Sequence, residues 1–214
     1  MTIDREMASQ YIQDLFVHQD QAQVYAQEDS QQRGLPAINI GPEEGRFIQL
    51  LVRASGGTKA LEIGTLGGYS GIWIARGLAP SGKLFTLEKD PIHAAVAQEH
   101  FQRAGVADLV EIRQGDAHTS LAALAGEAPF DFVFIDAEKS GYSDYYDWAI
   151  EHLRIGGLIT AHNALRGGAV YDPAQQDATV LALRAFNRKV ADDFRVLSSI
   201  YPAGDGTLVA VRVA

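Results

Sequence analysis

Three acids, a lysine, a histidine and an asparagine stand in or at the ends of the chain's apolar runs. Asp136 closes the run Asp131-Phe132-Val133-Phe134-Ile135-Asp136, and Lys139 follows three residues later. His162 and Asn163 close the run Gly156-Gly157-Leu158-Ile159-Thr160-Ala161. A carboxylate, an imidazole and an amide oxygen converging on one point can hold a divalent cation. A lysine beside that point, its pKa depressed by the cation, can take a proton or hold an anion. His162 leaves a second chemistry open, that of a general base with an unperturbed pKa near ~6.5. Glu62 lies inside a further run, and Glu88 ends another. The remaining histidines, His18, His93, His100, His118 and His152, sit in helical or loop contexts and read as surface or packing residues.

The stretch Ala60-Leu61-Glu62-Ile63-Gly64-Thr65-Leu66-Gly67-Gly68-Tyr69-Ser70-Gly71 reads as strand, tight loop and helix start. Glycines let such a loop take positive φ and approach a ligand closely, and the helix start offers free N–H groups. The spacing is not G-x-G-x-x-G, and no G-x-x-x-x-G-K-[ST] phosphate loop is present. Glu62 would repel a pyrophosphate and suit a cationic nucleotide such as S-adenosylmethionine. Glu88, at the end of the next strand, can accept hydrogen bonds from both ribose hydroxyls. NAD would use the same acid, so a nicotinamide-dependent dehydrogenase on the same fold stays an alternative. Gly115-Asp116-Ala117 ends the third strand, placed for the adenine edge, although Gly-Asp also makes an ordinary turn.

These residues need a scaffold that brings strand ends together. The 214 residues, 47% of them apolar, predict one domain over 1–214 with one substantial core. Residues 1–33 are expected to form an N-terminal helical segment, with apolar positions such as Tyr11, Ile12, Leu15 and Phe16 at helical spacing. After a loop, Pro42 suits a helix's first turn, and Glu43 and Glu44 suit its positive end. Strands are predicted at 60–63, 84–87, 109–112, 131–136, 156–161, 194–197 and 207–211, with helices at 91–104 and 180–190. The last two strands lack room for a crossover and should pair antiparallel. The fold class is α/β: a doubly wound, seven-stranded, mostly parallel sheet with an antiparallel last strand. A net charge of −9 without a basic run makes nucleic acid and anionic membranes poor partners. No cysteine, signal-peptide pattern or membrane-length apolar run is present, which predicts a cytoplasmic protein.

Taken together, these motifs resemble the cation-dependent O-methyltransferases of the caffeoyl-CoA and catechol type, in their compact bacterial form. The likeness covers about residues 34–213. It rests on Leu61-Glu62-Ile63-Gly64-Thr65, Gly68-Tyr69-Ser70, Leu87-Glu88, Phe134-Ile135-Asp136-Ala137-Glu138-Lys139, Gly156-Gly157, His162-Asn163 and Gly204-Asp205-Gly206. The resemblance implies a Rossmann-like methyltransferase acting on a small phenolic with vicinal hydroxyls, with S-adenosylmethionine and a divalent metal as cofactors, working as a homodimer. It implies that Glu62, Gly64, Ser70, Glu88 and Asp136 meet the methyl donor, flanked by Ile40 and Ala117. Asp136, His162 and Asn163 would be metal ligands and Lys139 the catalytic lysine. The chain departs from the family pattern at His162, where an aspartate is expected. An imidazole there weakens a magnesium site and favours a softer metal, or leaves a metal-independent enzyme with His162 as base. Arg166 departs too, standing where the family often has an aromatic residue. It bears on the acceptor pocket, as a partner for a substrate carboxylate or a surface ion pair.

Overall fold

The computed structural model describes residues 5–214, so the first four residues of the expected N-terminal segment lie outside the described residues. Two helices come first, α1 (Arg5–Phe16) and α2 (Gln21–Gln32). Asp20 fixes the start of α2, because its side chain accepts from the N–H groups of Ala22 and Gln23 while the Gln23 side chain accepts from its own N–H. Helix α3 (Pro42–Ala54) opens on the proline, as its sequence implies. The Glu44 Oε2 accepts the Gly41 N–H at 2.8 Å and so caps that first turn.

Strands β1 (Lys59–Ile63), β2 (Lys83–Glu88), β3 (Val110–Gln114), β4 (Phe130–Ile135), β5 (Leu153–Ala161), β6 (Val196–Tyr201) and β7 (Thr207–Arg212) form one sheet. Its order is β3-β2-β1-β4-β5-β7-β6, parallel except that β7 runs antiparallel to both neighbours. This is the expected seven-stranded, doubly wound arrangement. Helices α4 (Tyr69–Gly77), α5 (Pro91–Arg103), α6 (Ala117–Leu124), α7 (Tyr142–His152) and α8 (Ala178–Asp192) complete the layers. Alternation along β4 divides the core. Phe132 and Phe134 pack with Ile48, Trp73 and Phe101 on one face, and Val133 and Ile135 pack with Tyr142, Leu183 and Phe186 on the other. Each fully buried side chain of this size contributes about 1.5–3 kcal/mol, which is why β4 reads as an unbroken apolar run.

The structure departs from the expected elements at the far edge. β5 begins at Leu153, straight from α7, with a register shift against β4 between Phe130 and Phe132. β6 starts two residues later than its apolar run, because Asp193 turns back onto the Arg195 N–H at 2.9 Å and its guanidinium.

Candidate active site

The parallel ladder continues one residue past several strands. Gly64 N–H donates to the Leu87 carbonyl (3.1 Å), Gly115 to Glu88 (2.8 Å), Asp136 to Ile63 (2.9 Å) and His162 to Ile135 (3.0 Å). These bonds hold the carboxyl tips of β1 to β5 in one row, at the floor of a cleft of about 810 Å³. That is where open parallel sheets bind their ligands. Gly64 is indispensable here: its φ is +102° and a Cβ would run into the Asp136 carbonyl, so the β1 and β4 tips touch backbone to backbone.

One half of the cleft has the form of a nucleotide site. Glu88 accepts the Leu66 N–H on Oε2 and the Asp90 N–H on Oε1, each at 2.8 Å. Its remaining lone pairs are available to a diol, and it lines the cleft beside His93, 3.7 Å away. Gly64, Ser70, Ile40, Ala117 and Asp136 line the same cleft. Glu62 does not. It is completely buried below the loop, where it accepts from Ser70 Oγ and Thr86 Oγ1, both at 2.6 Å. Burial, reinforced by the Asp136 and Glu88 charges, outweighs those two hydrogen bonds and pushes its pKa up to about 7. Its part is to orient Ser70 and the loop.

The other half centres on Asp136 and Lys139. Lys139 Nζ donates to Asp136 Oδ1 at 2.9 Å and to the Tyr142 hydroxyl at 2.5 Å, and that hydroxyl donates to the His162 carbonyl at 3.1 Å. An ammonium has three donors. Two are used in anchoring Lys139 at the cleft floor, and the third remains for a ligand. Burial, added to the Asp136 charge, drives the Tyr142 pKa well above its usual value, so this phenol stays neutral.

His162 lies between two carboxylates. Its Nδ1 is 3.2 Å from Asp136 Oδ2 and its Nε2 is 2.9 Å from Glu44 Oε1. Burial would lower its pKa, but Asp136 and Glu44 together raise it to about 9. Burial pulls the Asp136 pKa the other way, up, yet His162 and Lys139 hold that carboxyl below its ordinary range. Each ring nitrogen of His162 thus faces a carboxylate, an arrangement that favours the doubly protonated ring over the neutral ring a general base would need.

Asn163 follows, in a left-handed conformation (φ +56°), with its amide nitrogen donating to Asp205 Oδ2 at 3.2 Å. Arg166 (φ +48°) is exposed on the cleft wall. The expected ligand set of Asp136, His162 and Asn163 thus lies close together without the form of a metal centre. Both Asp136 oxygens face cationic N–H groups and both His162 nitrogens face carboxylates. Among the described residues no group of three or more His, Asp or Glu side chains converges on a common point. Seating a dication would require His162 to lose its proton. Its loss would break the N–H contact with Asp136 or with Glu44, and Lys139 would have to leave Asp136 as well. The residues as arranged do not fit a divalent ion.

The structure also shows partners that spacing does not reveal. In the sequence Glu44, from α3, signals only a helix-end charge. Nothing in the spacing of Tyr142 or Asp205 points to a role. His100, expected to be ordinary packing, is buried with Nδ1 donating to the Gly67 carbonyl at 2.7 Å and Nε2 3.0 Å from Asp29, so it supports the glycine loop from behind.

Comparison with known proteins identifies the family and the fold. The family described as O-methyltransferase matches residues 16–213. A protein of Niastella koreensis named catechol O-methyltransferase is 42% identical over 197 residues, 91% of this chain and 89% of its own. One of the same name from Mycobacterium tuberculosis is 44% identical over 174 residues, 81% of this chain and 78% of its own. The crystal structure of an O-methyltransferase from Bacillus cereus in complex with SAH superposes with a TM-score of 0.90 at 38% identity, covering 96% of this chain and 97% of that one.

Proposed function

The chain belongs to the O-methyltransferase family and is an S-adenosylmethionine-dependent enzyme, and we propose that it methylates one hydroxyl of a small catechol-type phenol. Membership removes the nicotinamide dehydrogenase from consideration. The observation that carries the acceptor class is Lys139, anchored by Asp136 and Tyr142 with a donor to spare at the cleft floor. The two named relatives favour a catechol.

The chemistry follows from charge. An unperturbed phenol has a pKa near ~10, so about one molecule in a thousand is ionised at neutral pH. A unit positive charge ~4 Å away, at an effective dielectric of ~20, stabilises the phenolate by at most about 4 kcal/mol. The Asp136 carboxylate 2.9 Å from Nζ offsets part of that, so Lys139 supplies a share of the three-unit deficit. The acceptor oxygen binds against Lys139 Nζ, its O–H bond breaks with the proton leaving to solvent through the open cleft, and the phenolate is held by the ammonium. The oxygen lone pair then forms the O–CH₃ bond as the C–S bond breaks, and the sulfonium becomes a neutral thioether. Glu88 would hold the donor's ribose and Ser70 would meet its amino-acid end, while Ile40 and Ala117 would enclose the adenine. Fixing donor and acceptor in line supplies much of the remaining acceleration. Arg166 would receive a carboxylate carried on the ring.

The test is transfer of labelled methyl from S-adenosylmethionine to catechol, to a dihydroxybenzoate and to a simple monohydroxy phenol. Lys139→Met is expected to lower kcat by about a hundredfold or more with S-adenosylhomocysteine affinity unchanged by calorimetry. Full activity in that variant, or acceptance of the monohydroxy phenol alone, refutes the reading.

A further inference from the structure

We propose that the hydrogen-bonded row Glu44–His162–Asp136–Lys139 takes the place of the divalent ion, so that this enzyme transfers its methyl group without one. The proposal rests on the reading of the site as methyl transfer to a hydroxyl. The geometry of His162 carries it. Ionised carboxylates only accept hydrogen bonds, so a ring with one nitrogen 3.2 Å from Asp136 and the other 2.9 Å from Glu44 offers an N–H to each. The imidazolium and the Lys139 ammonium place two fixed positive charges at the cleft floor, the charge that a dication would carry. Two carboxylates hold them there.

Glu44 keeps this row in place. Its second oxygen is taken by the Gly41 N–H at 2.8 Å. On its other side the chain passes so close at Gly204 (φ +55°) that a Cβ there would meet the Glu44 carboxylate. Buried and capped at the edge of the cleft, Glu44 presents its other oxygen to Nε2 of His162 at 2.9 Å. It is a positioning residue that turns Nδ1 toward Asp136. His162 forms part of the cleft wall and contributes charge to the acceptor oxygen, because both its N–H groups are already used. Among the described residues no other carboxylate hydrogen-bonds to the row, and Asn163 donates its amide to Asp205, which lines the same cleft. The balance of the transfer is unchanged: the phenol proton goes to solvent and the sulfonium charge is lost with its methyl group.

The experiment uses the whole chain, stripped with EDTA and returned to metal-free buffer. Methyl transfer to catechol is measured with and without magnesium or manganese. Manganese binding is read separately, by the EPR signal of the free ion in the presence of S-adenosylhomocysteine. The wild type is expected to change by less than about twofold under every condition and to bind no stoichiometric manganese. His162→Asp, which exchanges the imidazolium for a third carboxylate, should bind manganese and depend on an added cation by about tenfold or more. Glu44→Gln should lower kcat by about tenfold while leaving the affinity for S-adenosylhomocysteine unchanged. In that variant the ring ¹⁵N shifts of His162 should move away from the doubly protonated values expected for the wild type. One manganese bound per wild-type chain, or activity lost in EDTA and restored by a cation, overturns the proposal. Neutral-imidazole ¹⁵N shifts in the wild type overturn it as well. If no phenol is methylated with or without metal, the acceptor reading fails, and the manganese and ¹⁵N measurements still decide this one.

Discussion

Replacing Glu62 by glutamine isolates what it takes to keep an acid beneath the glycine loop. Glu62 is fully buried, and its pKa is raised from 4.5 to about 7 by burial first and then by the charges of Asp136 and Glu88. A raised carboxyl pKa means that the folded chain holds this proton more tightly than the unfolded chain does. The contribution of Glu62 to stability is therefore greatest below pH 4.5 and declines as pH rises from 4.5 to about 7. At about 1.4 kcal/mol per pH unit, the decline is about 3 kcal/mol. Glutamine does not titrate, and its amide can keep the network. Its oxygen would accept from Ser70, and its nitrogen would donate to Thr86 Oγ1, which can turn to donate to Thr65 Oγ1, 2.5 Å away. Urea unfolding of both proteins at pH 4.5 and at pH 8 gives the stability difference at each. That difference should move in favour of Glu62→Gln by about 3 kcal/mol between the two pH values, or roughly 6–12 °C in Tm for a chain of this size. The other titrating groups are common to both proteins, and only Asp136 and Glu88, whose charges act on Glu62, add a smaller change of their own. A difference constant to within about 0.5 kcal/mol would refute the placement of a proton on this acid.

Two further outcomes follow from the loop's supports. Gly64→Ala sets a Cβ against the Asp136 carbonyl at a φ of +102°, and should destabilise the fold by about 2–4 kcal/mol and weaken S-adenosylhomocysteine binding at least about tenfold, read by urea unfolding and calorimetry. Wild-type binding in that variant would show that the two strand tips need not touch. His100→Leu removes the donor to the Gly67 carbonyl and the contact with Asp29. It should destabilise by about 1–3 kcal/mol, with a loss of cofactor affinity that unchanged calorimetry would contradict.

The sequence speaks clearly where the signal is local. An apolar run of five or six residues, a glycine turn and a helical pattern place β1 to β4 and the donor half of the cleft. Glu88 is readable because a strand end fixes its position. β5 and β6 are less legible. Gly156 and Gly157 look like a boundary, yet Leu153 already pairs with Phe130, and Ser198 and Ser199 hide an edge strand whose faces are only partly covered. Helices α6 and α7 escape a reading based on apolar spacing alone. The acceptor half depends on pairings across the chain. Glu44 meets His162 over a separation of 118 residues, and no spacing rule announces it. Asn163 stands in the expected place, but its left-handed backbone goes with an amide turned toward Asp205, and a residue type cannot foretell that direction.

Glu43 and Glu44 are adjacent, yet they reach opposite ways. Glu43 accepts a hydrogen bond from Ser9 on the outermost helix at 2.6 Å, while Glu44 grips the imidazole. One turn of α3 thus ties the first helix to the imidazole on the cleft wall through two neighbouring side chains, so the seating of α1 and the orientation of that ring share a single backbone turn.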